Sequence, residues 1–594
     1  MLAPRFHLNK AMFFILAMAC ATILSAQKPH PVSPTYPTAY FRHPLTLPVS
    51  MAGGFAEIRP NHFHSGLDLR TDGKEGAQVY APADGYVSRI NISAWGGGKV
   101  LYITHPNGYR TVYMHLSAFC GEIGKFVHDY QYEHHCFAFD IDLPKDSIRV
   151  KQGDLVALTG NTGGSGGPHL HYEIRYADND QPINPLYFGI KYDDKVAPII
   201  DNIKIYPADS QTTIDGSHSE LRLNGKVRRG KKSIDIRRDT VTVAGRFYTG
   251  IYAYDRMEAG ARNKNGVERI ELYVDGELFH RYAVPTFLFE ETRAINAIID
   301  YPEYRRTREY YIVTRHLRGD RNHFSSPVRD NGYLQFSDGA VHRLEYRVSD
   351  HKGNKTCRTF YVQSKALPAD TLRSPLATIQ SVGEPISYFK RFDYHSDGFQ
   401  ATINPGTIYE NDYVIYHTGT DAARLSPLHH FNLKQYPLPP HEAFLVRLAM
   451  PKQIPAALQK KLTIVCINGK DCSACPTKTT SDTGGNTWLE APTRSFGAFA
   501  VRLDTVAPRV ASVNFSDGKA FRGSELKIKI SDDLTGIVSY DCYINDHWEL
   551  AEHDGKTATL SVSSATLRAG KNDVHLVVTD AAGNTSDTHW SIAR

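Results

Sequence analysis

Apolar and polar residues alternate in short runs along most of this chain, and a period of two predicts strands rather than helices. Beyond residue 190 helical periodicity nearly vanishes, and alternating runs recur between Gly, Asn and Asp turns, the pattern of all-β sandwiches. Part of that region is an internal repeat. Ala197-Pro-Ile-Ile-Asp-Asn-Ile-Lys-Ile205 matches Ala507-Pro-Arg-Val-Ala-Ser-Val-Asn-Phe515, each followed later by a Gly266-Val267 or Gly536-Ile537 step before a strand. Each copy closes with a strand and an Asp-x2-Gly-Asn turn, Asp350 to Asn354 and Asp580 to Asn584. Between the copies lies a third β-rich unit ending at Arg494-Ser-Phe-Gly-Ala-Phe-Ala-Val501. In the first third, His169-Leu-His-Tyr-Glu-Ile-Arg175 also alternates and predicts a strand. His169 and His171 then share one face, about 6.6 Å apart along the chain.

One run breaks the pattern. Arg5, His7 and Lys10 precede the apolar stretch Ala11 to Leu24, followed by Ser25-Ala26-Gln27, which reads as a secretory signal cleaved near Ala26. Cys20 follows Ala17-Met-Ala19, but no Leu stands three before it, so a cleaved leader is preferred to a lipid anchor. The run is shorter than the ~20 apolar residues of a lasting span, and no other stretch could cross a membrane. The expected location is therefore exported: periplasm, cell envelope or extracellular.

At 594 residues the chain is too long for one core. It divides into a leader over 1–26, a histidine-bearing domain over 40–192 with an insertion near 119–147, and three β units over 196–365, 370–503 and 505–594. A net charge of +5 gives no case for nucleic acid and modestly favours an anionic surface.

Candidate chemistry sits in three ordered motifs: His64-Ser-Gly-Leu-Asp68, Met114-His115-Leu116 and His169-Leu-His171. Imidazole and carboxylate suit zinc, and a catalytic zinc takes three protein ligands with one position open for water. The set offers three ligands and two spare histidines, which favours an enzyme over a structural site. His64 and Asp68 would stand about 13 Å apart on an extended strand, so the chain must bend between them, and Gly66 is the residue expected to allow it. Gly160-Asn-Thr-Gly-Gly-Ser-Gly-Gly-Pro168 delivers the second histidine strand; it lacks the lysine of a phosphate-binding loop. His62, His105, His134 and His135 lack such a pattern, and most of the 27 histidines are expected to be ordinary surface or core residues.

His64-x3-Asp68, Tyr113-Met-His115-Leu-Ser117 and Gly160-Asn-Thr-Gly163 with Gly167-Pro-His169-Leu-His171-Tyr-Glu173 resemble the lysostaphin-type (LytM-type) zinc endopeptidases of bacterial cell walls. Val79 to Val87 and Val150 to Val156 look like strands of that family's sheet, and the resemblance spans about residues 50 to 190. It implies that His64, Asp68 and His171 hold zinc, while His115 and His169 work on the water and the transition state, in either assignment. No motif position departs from the active pattern. A three-ligand zinc brings bound water toward a pKa of about 7, and a neutral imidazole can take its proton. The repeat ends resemble bacterial immunoglobulin-like modules; the unit over 370–503 resembles no family.

The expected fold is thus mainly β: an antiparallel LytM-like sheet followed by immunoglobulin-like sandwiches. The expected function is an exported zinc metalloendopeptidase cutting peptidoglycan stems or cross-links, its tail meeting an envelope protein or glycan partner. The competing readings are a catalytically silent wall-binding scaffold or amidase activator, and an exported peptidase acting on non-wall proteins. Among the cysteines, Cys120 and Cys136 are expected to bridge across the insertion, whose Tyr130, Tyr132, Phe137 and Phe139 would wall the groove. The trio Cys466, Cys472 and Cys475 lacks the second pair of a zinc ribbon and reads as a local disulfide, while Cys357 and Cys542 read as buried thiols. Asp350 and Asp580 are read first as turn residues rather than calcium ligands.

Overall fold

The computed structural model describes residues 35–224, 240–257, 263–320, 322–365, 383–420 and 424–594; the leader reading, with Cys20, lies outside them. Among the described residues no helix is long and apolar enough to cross a membrane. Among the described residues the fold is mainly β and almost wholly antiparallel; the strand pair Thr240–Ala244 and Tyr361–Lys365 is parallel, as is the isolated bridge Ala520↔Ala593.

The histidine motifs lie on one large sheet. Its main strands are β1 (Met51–Gly53), β2 (Leu67–Arg70), β3 (Gly85–Ile92), β4 (Lys99–Thr104), β5 (Tyr109–Leu116), β6 (Phe139–Asp142) and β7 (His169–Tyr176). Their spatial order is β1-β2-β7-β5-β4-β3-β6, so β7 lies centrally between the strands carrying Asp68 and His115. The register pairs His171 with Asp68 on one side and with Met114 on the other. Val79 and Tyr80 leave this sheet for a small one with Leu155–Leu158 and Ala118–Phe119. The family-like stretches therefore supply two sheets, not one.

The insertion folds as helix α1 (Gly121–His134), not foreseen from the sequence. Its inward stripe is narrow, Ile123, Val127 and Gln131 at four-residue spacing, and His135 ends it in the left-handed conformation. The helix corrects the expected Cys120–Cys136 bridge. A helix of 14 residues holds its flanking cysteines about 20 Å apart, against the roughly 6 Å a disulfide needs. Of its aromatics, Phe137 is buried in the core, Tyr130 packs on Phe139 of the far edge strand β6, and Tyr132 meets Trp548. Cys466, Cys472 and Cys475 form no disulfide, and Cys357 is exposed rather than buried.

Beyond the large sheet, each later segment pairs two sheets over a core. Residues 386–501 enclose one around Phe399, Phe431, Val446 and Ile464, and residues 515–592 another around Leu526, Ile528, Leu576 and Val578. The segment after residue 199 is different, because its core is continuous with that of the histidine-bearing sheet. Phe55 and Phe63 pack on Phe287, and Phe63 also meets Phe324 edge-on.

Candidate metal centre

His64, Asp68 and His171 converge from two adjacent strands and the loop before one of them. His64 Nε2 lies 2.9 Å from Asp68 Oδ1 and 2.9 Å from His171 Nδ1, which itself lies 3.0 Å from Asp68 Oδ1. The loop bearing His64 is clamped from outside: Phe63 N donates to Thr292 Oγ1 (2.7 Å), and Asn296 donates to Asn61 (3.1 Å).

Gly66 makes the convergence feasible for a different reason from the expected one. A Cβ there would stand 2.4 Å from Tyr172 O, 2.8 Å from Glu173 Cγ and 2.9 Å from His171 Nε2. Close approach to β7, not an unusual backbone angle, demands glycine.

Each donor's outer face is already satisfied, which leaves its lone pair for the centre. His64 Nδ1–H donates to Gly54 O (2.6 Å), and His171 Nε2–H donates to Glu173 Oε1 (2.8 Å). Asp68 turns Oδ2 to Arg59 Nη2 (3.2 Å) and keeps Oδ1 for the cluster. Glu173 is fully buried, accepts Ser65 Oγ (2.6 Å), and pairs with the buried guanidinium of Arg175. This outer ring of Gly54, Arg59, Glu173 and Arg175 was not assigned from the sequence. The signal for Glu173 was its place two residues after His171, on the same strand face.

The charges follow. Burial raises the Asp68 carboxyl, but the His64 charge and hydrogen bonds from His169, His171 and His64 outweigh it and hold it well below its usual range. Burial opposes charge on His171, yet its hydrogen bonds to Asp68 and Glu173 lift it to about 9. Glu173 is driven up by burial and down to about 2 by Arg175 and His171.

The two spare histidines flank the cluster. His169 Nδ1 is held by Gly167 O (2.8 Å), and its Nε2 comes 3.3 Å from Asp68 Oδ1. His115 Nδ1–H donates to Thr162 O (2.8 Å), and its ring lies 4.8 Å from that of His169. His115 has φ 64°, and the β4–β5 register slips beside it between Lys99↔Leu116 and Leu101↔Tyr113. Such a bulge re-aims a side chain, and holding a non-glycine residue there costs about 1–3 kcal/mol, strain typical of functional positions. Burial first, then the charges of His171 and His169, push His115 down to about 3, so its imidazole is neutral across the physiological range. Two of the other histidines noted in the sequence lie in other surroundings. His105 is buried against Asp84 O and Thr111, and His135 stacks on Trp548.

The last β unit forms a wall beside these loops. Lys99 Nζ bonds Ser117 O (2.9 Å) and Glu552 (2.9 Å), and Lys556 reaches Asn161 O next to Thr162.

The site is thus a His-Asp-His cluster on an antiparallel sheet with two further imidazoles beside it. In the family comparison, residues 62–132 and 134–185 match the model of peptidase family M23, so this part of the chain is an M23 (LytM-type) domain. Residues 384–504 match the model of the Zu5-like domain, where the sequence reading found no family. An uncharacterized metalloprotease of Haemophilus influenzae is 37% identical over 145 residues, 24% of this chain and 22% of that protein. Peptidoglycan DD-endopeptidase ShyC of Vibrio cholerae is 34% identical over 99 residues, 17% of each chain. The catalytic domain of lysostaphin from Staphylococcus simulans is 22% identical, covering 24% of this chain and 93% of that one, with a TM-score of 0.18. The chain spans about a fifth of the length of the curated relatives it matches.

Proposed function

We propose that this chain is an exported zinc metalloendopeptidase that hydrolyses peptide bonds in peptidoglycan stems or cross-links. The observation that carries the reading is the convergence of His64 Nε2, Asp68 Oδ1 and His171 Nδ1 with every outer hydrogen bond already made. That donor set, two imidazoles and one carboxylate, suits zinc better than calcium or magnesium. Peptidoglycan as substrate rests on the relatives whose names state it, and export on the leader pattern of the sequence.

Zinc bound by these three residues would polarise the scissile carbonyl and bring the attacking water toward neutral pKa. The chain's own groups supply the rest. His115 has Nδ1–H committed to Thr162 O, so its Nε2 carries the lone pair, on a ring 6.0 Å from that of His171, and can take the water's proton. His169, held by Gly167 O and 3.3 Å from Asp68, would share that proton and meet charge developing on the substrate oxygen. Glu173 keeps His171 in the tautomer that leaves Nδ1 free. The sandwich behind Phe63 holds the His64 loop in place, and we assign the chain the units 40–192, 196–365, 370–503 and 505–594, with immunoglobulin-like modules second and last.

Digestion of purified sacculi by the metal-loaded chain tests the reading, with fragments resolved by mass spectrometry. New amino termini without new reducing sugar ends are expected. Binding to sacculi with no fragments released would instead favour the silent scaffold.

A further inference from the structure

Two clusters of three acids lie outside the histidine site. Asp194, Asp255 and Asp350 bring one oxygen each within 4.8 Å of one another, and so do Asp504, Asp532 and Asp580. Turn geometry explains part of this. Asp350 accepts Asn354 N (2.9 Å) and Nδ2 (2.8 Å), and Asp580 accepts Asn584 N (2.8 Å) and Nδ2 (2.7 Å). It does not explain why two more carboxylates join each turn. Asp194 stands three residues before Ala197-Pro198 and Asp504 three before Ala507-Pro508, each where one β unit hands over to the next. The turn asparagines reach back to both: Asn354 Nδ2 donates to Asp194 O (3.3 Å), Asn584 Nδ2 to Asp504 O (3.1 Å). Asp255 and Asp532 each follow a strand, Phe247–Tyr254 and Glu525–Ser531. The repeat has thus kept one three-acid device in two places.

Among the described residues the first cluster has one nearby positive charge, Lys352, whose field reaches Asp194 without forming an ion pair. Asp255 is 2% exposed and its Oδ1 has no hydrogen-bond partner; Asp194 is 8% exposed and its Oδ2 has none. Among the described residues no ion pair reaches any of the three carboxylates. Lys352, in the same turn as Asp350, rests instead over the Tyr192 ring at 4.2 Å. Burial, reinforced by Asp194 and Asp350, pushes the Asp255 carboxyl up to about 7. Buried acids without partners are costly unless protons or a cation neutralise them.

We propose that Asp194, Asp255 and Asp350 bind a calcium ion. The donors are all oxygen, one from each of three carboxylates, and calcium accepts six to eight oxygens in a flexible shell that water can complete. The ion would tie the junction residue Asp194 to two strand ends of the following unit and fix that unit against the histidine-bearing sheet. The second cluster is a weaker copy. Asp504 Oδ2 is taken by Thr535 N (3.2 Å) and Oγ1 (2.6 Å), and Asp532 Oδ2 by Leu534 N (3.1 Å) and Gly536 N (2.8 Å). Only Asp532 Oδ1 is buried without a partner there.

The test is calcium binding to the full zinc-loaded chain freed of calcium, read by calorimetry and by melting temperature. The wild type is expected to bind calcium and to melt higher as calcium rises. Asp255→Asn and Asp194→Asn should each bind the first-site ion at least tenfold more weakly and lose its thermal increment, while Asp532→Asn keeps both. Should the variants fold poorly, terbium luminescence excited through tyrosine in the wild type is expected, and calcium should displace it. A wild type that takes up no calcium at millimolar concentration would overturn the proposal. So would an Asp255→Asn variant that binds as the wild type does.

Discussion

Replacing Glu173 by Gln changes one charge in a fully buried position and leaves the shape of the site intact. Besides accepting Ser65 Oγ, the carboxylate has two jobs. Oε1 accepts His171 Nε2–H at 2.8 Å, and Oε2 pairs with Arg175, whose side chain is only 7% exposed. Glutamine keeps an acceptor oxygen but loses the charge behind the ligating imidazole, and mutating such an outer partner typically weakens metal affinity 10–100-fold, about 1.4–2.7 kcal/mol. Stranding a buried guanidinium costs more, on the order of 3–5 kcal/mol of fold stability. Arg175 keeps its stacking over Phe289 (4.6 Å) and Tyr102 (5.7 Å), so the lower end, about 3 kcal/mol, is expected. The two effects separate in the double variant Glu173→Gln/Arg175→Met. Removing the stranded charge should restore much of the stability but none of the metal affinity. Zinc competition against a chromogenic chelator reads the first quantity and denaturant unfolding the second. A folded Glu173→Gln variant with zinc affinity within about twofold of wild type would refute the role given to this carboxylate.

Other consequences follow from the same geometry. With no metal bound His171 holds its proton up to about 9, so zinc uptake below that pH must expel it. Apparent affinity should therefore fall about tenfold per pH unit as pH drops from 8.5 to 7, measured by the same competition; a flat profile would contradict the raised value. Gly66→Ala drives a methyl into Tyr172 O and the Glu173 stem, and should lose about 1–3 kcal/mol in unfolding together with zinc affinity; an unchanged melt would show that β7 yields. His115→Gln should keep zinc but lose roughly 10²–10⁴-fold in kcat, and retained turnover would remove it from proton transfer. Lys99→Ala should loosen the last unit from the site's rim, seen as faster amide exchange over 94–99 and 548–556; unchanged exchange would mean that Lys99–Glu552 is incidental.

The set His64, Asp68, His171, His115 and His169 was named through the likeness of its motifs to the LytM-type pattern, while strand periodicity reached only the pair on one strand. The alternation of His169 and His171 required a strand, and β7 is one. Gly66 was noticed for the wrong reason, since spacing along one strand cannot reveal that another packs against it. Helix α1 escaped because Ile123 and Val127 are too few to mark a helical period, and the bridge across it failed with it. The support of the His64 loop by Phe287 and Thr292 joins residues more than two hundred positions apart, which no local pattern carries. The acid clusters show the same limit: the repeat displayed Asp350 and Asp580, but only folding brings Asp194 and Asp255 to the first of them.

The most direct measurement combines metal content with hydrolysis. The chain is stripped of metal, reloaded with zinc stepwise, and assayed on sacculi alongside His169→Ala and His171→Ala. The account predicts that cleavage rises in proportion to zinc and saturates at one ion per chain. His171→Ala should neither retain the ion nor cut, and His169→Ala should retain it and not cut. Full cleavage by the stripped chain, or by either variant, would contradict a zinc peptidase built on these residues.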